Sequence, residues 1–224
     1  MSDPRAHARE LARESIARGN VTSWFEQLYA ESERDGFAIS WVDLAPNPYL
    51  VDWLARNPAP DSRALVVGCG YGYGYGYGYD AELLASRGLE GVAFDVAPSA
   101  IARCRSRFPG SSVEYDVVDV LGPPASWSAA FDFVFEEYTV QVLPGGARRA
   151  SARSIGGFVA PGGALLVVAR SRGLHDPEGL MPWPLTRAEL DEFAVQGLAL
   201  TRLDEVVEPG DPPAPRFAAE FTRP

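Results

Sequence analysis

The sequence predicts an α/β fold, a Rossmann-like three-layer sandwich whose mainly parallel sheet ends in a C-terminal antiparallel hairpin. From residue 63 to residue 173, short apolar runs alternate with amphipathic stretches of helical period. Repeated β–α units of this kind form parallel sheets covered by helices on both faces. The tail has two β-type segments, 200–208 and 216–223, around a proline-rich turn, which is typical of a hairpin.

The predicted elements follow one another in the order of such a fold. Five strands precede the tail, at 64–68, 91–95, 113–118, 131–136 and 164–170. Helices are expected at 80–88, 98–108, about 147–159 and 186–197. Asp80 is the expected N-cap of the first of these helices and Gly88 its end. A Thr-x-x-Glu capping box at Thr186 and Glu189 begins the last one.

Length and composition predict one cytoplasmic domain over 1–224, with a helical, aromatic segment at 1–60 and the core at 63–224. The first twenty residues read as a polar helix and not as a signal peptide. No apolar run approaches the roughly 20 residues that span a bilayer. Cys69 and Cys104 lie in unlike contexts, one in a glycine-rich turn and one in an arginine-rich helix, which favours reduced thiols.

The charge balance bears on the class of partner. The net charge is −10, and arginine supplies all 20 basic residues without forming a basic run. Such a chain is poorly suited to binding nucleic acid or an anionic membrane. We therefore expect a small-molecule partner and a monomer or a homodimer.

The glycine-rich turn after the first strand points to a nucleotide-type cofactor. Gly68, Gly70 and Gly72 form a Gly-x-Gly-x-Gly turn, and Asp95 ends the second strand, where an acid accepts hydrogen bonds from ribose hydroxyls. Every glycine from Gly68 to Gly78 is even-numbered, so the Gly-x-Gly-x-x-Gly pattern of NAD sites fits in no register. The chain has no lysine for a P-loop. S-adenosylmethionine, which has no pyrophosphate, is the favoured cofactor.

The same turn continues as a Tyr-Gly repeat. Asp95 lies 27 positions after Gly68, against roughly 20 expected of such units, and removing three Tyr-Gly units restores an ordinary spacing. We interpret the repeat as an expansion inside a cofactor loop. It could bulge into solvent, form a lid or a self-association surface, or damage cofactor binding.

Acidic residues end two further strands. Asp119 is placed to bind the adenine amino group, or it is a simple turn residue. Glu136, Glu137 and Tyr138 are the candidate catalytic residues, as acid or base groups, although one carboxylate could instead cap the next segment. The two histidines, His7 and His175, are expected at the surface, and no spacing of ligands predicts a metal site.

Several motifs in order carry a family resemblance. ALVVGCGYG, AFDVAPSAI, VVDVL, FDFVFEEYTVQVL and APGGALLVVAR resemble the successive motifs of class I S-adenosylmethionine-dependent methyltransferases. WFEQLYAESERDGFAISWVDLAPNPYL and LMPWPLTRAELDEF are similar to segments of the thiopurine, thiol and halide methyltransferase branch. The tyrosine repeat and the valine between Trp41 and Asp43 depart from that pattern.

The resemblance implies which residues hold the cofactor. The three glycines would pass its methionine part, Asp95 would hold the ribose, and Asp119 would meet the adenine. Two tryptophans would close over it, although each could equally pack a helix on the sheet. The expected cofactor-binding set is Trp24, Trp41, Gly68, Cys69, Gly70, Gly72, Asp95, Val96, Asp119, Val120 and Glu136.

The expected reaction is methyl transfer to a small molecule, with S-adenosylhomocysteine as the product. A thiol or another soft nucleophile is favoured because it needs no strong general base. The alternative is a non-catalytic or impaired cofactor-binding protein that self-associates through the tyrosine repeat.

Overall fold

The computed structural model describes residues 4–35, 45–58, 62–70, 77–209 and 213–224. Its strands are β1 Arg63–Val67, β2 Glu90–Asp95, β3 Glu114–Val117, β4 Phe131–Glu137, β5 Val159–Arg170, β6 Ala199–Glu208 and β7 Ala214–Thr222. They form one sheet in the order β3-β2-β1-β4-β5-β7-β6. Strands β1 to β5 pair in parallel, and β7 is antiparallel to both β5 and β6. The predicted fold and the C-terminal hairpin are confirmed.

Helices cover both faces of this sheet. They are α1 Pro4–Ala17, α2 Ser23–Asp35, α3 Pro48–Arg56, α4 Tyr79–Ser86, α5 Pro98–Arg107, α6 Gly145–Phe158 and α7 Arg187–Leu190. Ala152, Ile155 and Phe158 of α6 pack in the core on one face, while α3, α4 and α5 pack on the other. Helices α1 and α2 contribute to a third buried cluster with the first turn of α5, beyond the carboxyl ends of β1 and β2.

Two sequence expectations about helices are wrong. Asp80 does not cap α4, because the helix begins at Tyr79 behind the left-handed Gly78, and the Asp80 side chain is buried instead. The helix expected over 186–197 is one α-turn followed by a 3₁₀ turn at Asp191–Phe193. It ends early because Gln196 and Gly197 both have positive φ, which turns the chain into β6. The capping box of Thr186 and Glu189 is present as predicted.

Within the described ranges, no helix is both long and apolar enough to cross a membrane. The same residues contain no group of three potential metal ligands.

Candidate active site

A cleft lies over the carboxyl ends of the parallel strands, covered by α1 and α2. It holds about 830 Å³ of space, including the part that opens to solvent. Residues at the ends of β1, β2 and β4 and after β3 form its base, and residues from α1, α2 and the loop after β5 form its cover. This is the position at which parallel α/β sheets bind their ligands.

The glycine turn lies tightly against β2 and α5. Gly68 has a φ of 65°, which glycine tolerates best. A side chain at Gly70 would collide with Cβ of Ala100 and lie 2.7 Å from Oδ2 of Asp95. Instead, the Gly70 backbone N–H donates to that same carboxylate oxygen at 3.1 Å. Glycine is therefore required at residue 70 for the turn to approach the acidic end of β2.

Asp95 lines the cleft and is almost fully buried. Its Oδ1 accepts the N–H of Ala97 at 2.9 Å. Burial raises the pKa of its carboxyl to about 6, although hydrogen bonds from backbone N–H groups oppose that rise. Asp95 is thus both the anchor of the glycine turn and an acidic group at the base of the cleft.

Asp119 lines the cleft at the next strand end. Its Oδ1 accepts the N–H of Leu121 at 2.9 Å, which makes it a turn residue. Its Oδ2 accepts the hydroxyl of Thr22, at the start of the α2 region, at 3.2 Å. The structure therefore confirms the turn role of Asp119, while adenine binding by Asp119 stays a prediction. The neighbouring Val96 and Val120 line the same part of the cleft.

Trp24 is buried in the cover of the cleft. Its ring stacks on Phe25 with centroids 3.9 Å apart, and its indole N–H donates to the Val21 carbonyl at 3.2 Å. Trp24 therefore packs within the cover and lines the cleft, and its closing over the cofactor stays a prediction. Trp41 and Gly72 lie outside the described residues.

The cover is an antiparallel pair of helices tied at both ends. Ser15 and Ser23 hydroxyls lie 2.9 Å apart at one end, and His7 contacts Glu31 at 2.6 Å at the other. Arg9 donates to the carbonyl of Met181 at 2.8 Å. Helix α1 is thereby joined to the loop after β5, in which Met181 and Pro182 also line the cleft. His175 is exposed in that loop, as expected.

Backbone hydrogen bonds pair the residues on either side of the Tyr-Gly repeat. The N–H of Tyr77 donates to the carbonyl of Gly70 at 2.6 Å, and that of Gly78 to the carbonyl of Cys69 at 3.0 Å. Tyr77 is buried, and the guanidinium groups of Arg103 and Arg107 each lie 5.3 Å from its ring centroid. Six residues, 71–76, lie between the paired ends and outside the described ranges.

The two cysteines, expected in unlike contexts, are neighbours. Cys69 and Cys104 are both free and buried, and the Cys104 thiol contacts the Cys69 carbonyl at 3.8 Å. Cys69 is absent from the residues that line the described cleft. Its side chain packs under the turn in the core on the α3, α4 and α5 face.

Glu136 and Glu137 point to opposite faces of β4. Oε1 of Glu136 accepts the N–H groups of Thr139 and Val140 at 2.8 and 3.0 Å, so this carboxyl caps the 3₁₀ turn that follows. Burial raises its pKa to about 7. Its Oε2 has no hydrogen-bond partner among the described residues.

Glu137 belongs to a buried acidic cluster on the other face. It accepts a hydrogen bond from the Asn47 side-chain amide, while the Asn47 backbone N–H donates to Asp80 at 2.7 Å. Burial raises the pKa of Asp80 to about 7, and burial together with the Asp80 charge raises that of Glu137 well above its usual range. Ionisation of one carboxyl therefore opposes ionisation of the other. Neither residue lines the described cleft.

Tyr138 is the one of the three candidate catalytic residues that lines the cleft. Its φ of 54° turns the chain sharply after β4, and its N–H is held by the Val168 carbonyl at 3.0 Å. Burial raises the pKa of its phenol above the ordinary range, so the hydroxyl keeps its proton at neutral pH. Its oxygen accepts Nε–H of Arg216 at 3.1 Å.

Arg216 is a residue that the sequence analysis missed. The available signal was an arginine within the mainly apolar stretch of β7, and nothing in the pattern placed it beside Tyr138.

Comparisons with known proteins agree with this arrangement. Residues 65–167 match a family model described as a methyltransferase domain. Comparison with curated proteins gives no match. The family match confirms the predicted S-adenosylmethionine-dependent methyltransferase. The comparisons leave the methyl acceptor open.

Three solved structures illustrate the likeness of fold. One, described for conversion of a disulfide bond into a thioacetal group during echinomycin biosynthesis, is 21% identical, with a TM-score of 0.70 and coverage of 90% of this chain and 91% of the other. The N-methyltransferase NodS of Bradyrhizobium japonicum, with S-adenosylhomocysteine, is 19% identical, with a TM-score of 0.62 and coverage of 80% and 89%. The Burkholderia thailandensis 1,6-didemethyltoxoflavin N1-methyltransferase, with its substrate and S-adenosylhomocysteine, is 16% identical, with a TM-score of 0.64 and coverage of 100% and 92%.

Proposed function

Starting from the class I S-adenosylmethionine-dependent methyltransferase domain that this chain contains, we propose that it methylates a small, mainly apolar molecule, with a thiol as the favoured nucleophile. The observation that carries this proposal is the aromatic and apolar cover of the cleft. Trp24, Phe25, Tyr29, Met181 and Pro182 all contribute to it.

The base of the cleft fits the cofactor. Gly68 brings backbone close to the ligand space, and Asp95 and Asp119 place two carboxylates at successive strand ends. We assign the methionine part to the glycine turn, the ribose to Asp95 and the adenine to Asp119 and Val120. When bound, S-adenosylmethionine supplies an electrophilic methyl group on a sulfonium and leaves S-adenosylhomocysteine as the product.

The lining of the cleft supports a small acceptor. Apolar side chains form its cover and two carboxylates lie at its base, and cofactor and acceptor would share it. Apolar walls such as Trp24 and Met181 exclude water and align the nucleophile with the methyl group, which is the main requirement of an in-line displacement.

The ionisable groups at the end of β4 favour a soft nucleophile. Tyr138 keeps its proton, and the carboxyls of Glu136 and Glu137 are engaged within the fold. A thiol ionises more readily than an alcohol and needs less help from a base. The resemblance of the aromatic N-terminal segment to the thiopurine, thiol and halide methyltransferases supports the same choice.

The test is formation of S-adenosylhomocysteine from S-adenosylmethionine across thiols, halides, phenols and amines. We expect turnover with aromatic or alkyl thiols. Met181→Trp should narrow the cleft and lower kcat/KM for bulky thiols by about tenfold or more, with cofactor affinity retained.

Leu180→Trp is the matched control. Leu180 is 70% exposed, whereas the adjacent Met181 is 7% exposed, so the same substitution next door should leave turnover unchanged. Turnover with proteins or nucleic acids alone, or equal effects of the two tryptophans, would contradict the proposal.

A further inference from the structure

The loop after β5 contributes to the cleft on the side away from the residues assigned to the cofactor. Those residues follow the strand order, with Asp119 after β3, Asp95 at the end of β2 and Gly68 after β1. Met181 and Pro182 line the cleft from the far side, after β5, and β4 separates β5 from β1. With the cofactor on the first three strand ends, these two residues form the acceptor wall.

The acceptor wall belongs to a loop whose preceding part is open to solvent. Residues 173–180 are exposed, whereas Met181 is buried. Arg9 of α1 donates to the Met181 carbonyl at 2.8 Å. Just after the wall, the Trp183 N–H donates to the Gln141 carbonyl at 2.7 Å. These bonds hold the backbone at the wall, and a buried side chain of α6 adds to them.

Arg148 is that side chain, and it is 5% exposed. Its guanidinium donates from Nε to the Leu143 carbonyl at 3.1 Å, from Nη1 to Oε1 of Glu189 at 2.6 Å and from Nη2 to Oε1 of Glu178 at 2.9 Å. Its guanidinium carbon lies 5.4 Å from a ring centroid of Trp183. Glu178 precedes the acceptor wall in the chain and Trp183 follows it, so one cation contacts the loop on both sides of the wall.

The chemistry of these contacts favours orientation over simple packing. A buried ion pair adds little stability beyond that of apolar side chains of similar size, because both charges lose their hydration. A planar guanidinium instead fixes the direction of each partner. Glu189 also accepts the N–H of Thr186 in the capping box at 2.8 Å. Arg148 therefore connects the exposed loop to a firmly held helix start.

Glu178 is the part of this arrangement that solvent reaches. Its side chain is 51% exposed, against 27% for Glu189. Among the described residues, Arg148 is its one hydrogen-bond partner. Salt screens exposed charges more than buried ones, so the pair of Arg148 with Glu178 is the salt-sensitive one.

We propose that Arg148 is a positioning residue, which holds the acceptor wall in place and thereby sets how tightly the methyl acceptor binds, with Glu178 as the adjustable half of the support. This inference rests on the proposed function, because it assigns the wall to the acceptor. Neither Arg148 nor Glu178 lines the described cleft, so both act through the loop.

The first experiment measures the KM values of the full chain for S-adenosylmethionine and for benzyl mercaptan, a neutral apolar thiol. Arg148→Gln should raise the KM for the thiol by about tenfold, because it removes charge-assisted hydrogen bonds that fix the wall. Glu178→Gln removes only the half-exposed pair and should raise it by about threefold. Arg148→Lys, which keeps the charge without the planar fork, should be intermediate. The KM for S-adenosylmethionine should stay within about twofold, since its groups lie at other strand ends.

Arg149→Gln is the matched control, because Arg149 is the next residue on α6 and is exposed. It should leave both KM values unchanged. At saturating S-adenosylmethionine, added salt should raise the thiol KM of the parent chain more than that of Glu178→Gln. Equal rises of the two KM values in Arg148→Gln, an unchanged thiol KM in Glu178→Gln, or equal responses to salt would overturn the inference.

Hydrogen exchange gives a readout without turnover. The Trp183 N–H, followed in a peptide spanning 179–186, should exchange faster in both glutamine variants of the pair and at the parental rate in Arg149→Gln. Amides of β1 are the internal reference for global unfolding. If exchange is faster while no small molecule is methylated, the proposed function fails and the positioning of the wall stands. If exchange is unchanged, the inference about Arg148 fails whatever the activity.

Discussion

The buried pair of Asp80 and Glu137 should make the stability of this protein fall as the pH rises, and Asp80→Asn should reduce that fall. Both carboxyls are buried around Asn47, where two negative charges would repel each other. An asparagine at residue 80 keeps an oxygen to accept the Asn47 N–H and carries no charge at any pH.

The sign follows from proton binding. The pKa of Asp80 is raised from 3.8 to about 7, so the folded state holds a proton that the unfolded chain has already released. The stability gained from this group is fully present below about pH 4 and is lost as the pH rises through about 7. A rise of about three pKa units corresponds to about 4 kcal/mol, which for a chain of this size is of the order of 10 °C in Tm.

The assay is thermal unfolding at intervals between pH 5 and pH 8.5. Asp80→Asn should show a smaller decrease of Tm with pH than the parent chain and should be the more stable of the two at pH 8. Asp95 and Glu136, whose carboxyl pKa values burial raises to about 6 and about 7, act in the same direction in both proteins. They therefore cancel in the difference.

Asp52→Asn is the control, since Asp52 is an exposed carboxylate on α3. Its Tm profile should run parallel to that of the parent chain. Parallel profiles for Asp80→Asn as well would refute the reasoning, because they would show that folding does not change proton binding at the pair.

Four further predictions concern the cofactor end of the site. Asp95→Asn should weaken S-adenosylhomocysteine binding in calorimetry by at least about tenfold, since a bond to a charged group contributes about 1.5–3 kcal/mol; unchanged affinity would place the ribose elsewhere. Asp95→Ala should also lower Tm, because it leaves the N–H groups of Gly70 and Ala97 without partners. Deleting three Tyr-Gly units should keep the fold and cofactor binding, since loop closure costs only about 0.6 kcal/mol per doubling of length; loss of binding by a folded variant would make the repeat part of the site. Proteolysis between α1 and α2 near Trp24 should slow in S-adenosylhomocysteine, because bound ligand suppresses local opening. Equal cleavage rates with and without the ligand would show that Trp24 only packs within the fold.

The sheet could be predicted from the sequence because burial imposes its own pattern. Strands such as β1 and β4 are mainly apolar runs, and a proline-rich turn marks the hairpin between its two segments. The glycine turn and Asp95 could be found because the backbone approach there excludes a side chain at Gly70. These are local constraints, and local constraints appear in local sequence.

What could not be predicted depends on contacts between distant residues. Asp80 precedes a helix and resembles a cap, but Asn47, 33 positions earlier, holds its side chain in the interior. Arg216 looks like any arginine near a turn until β7 is placed beside β5. Glu136 and Glu137 were expected as a pair, although neighbouring residues on a strand face opposite sides of the sheet.

The paired ends of the Tyr-Gly repeat have a consequence for how the length of this loop can change. The N–H groups of Tyr77 and Gly78 pair with the carbonyls of Gly70 and Cys69, and the repeat presents the same Tyr-Gly-Tyr before Asp80 however many units precede it. Adding or removing one Tyr-Gly unit changes the loop by two residues and leaves the identity of the residues at both paired ends intact. Loop length can therefore change in even steps, while the glycine turn and the start of α4 keep the same residues.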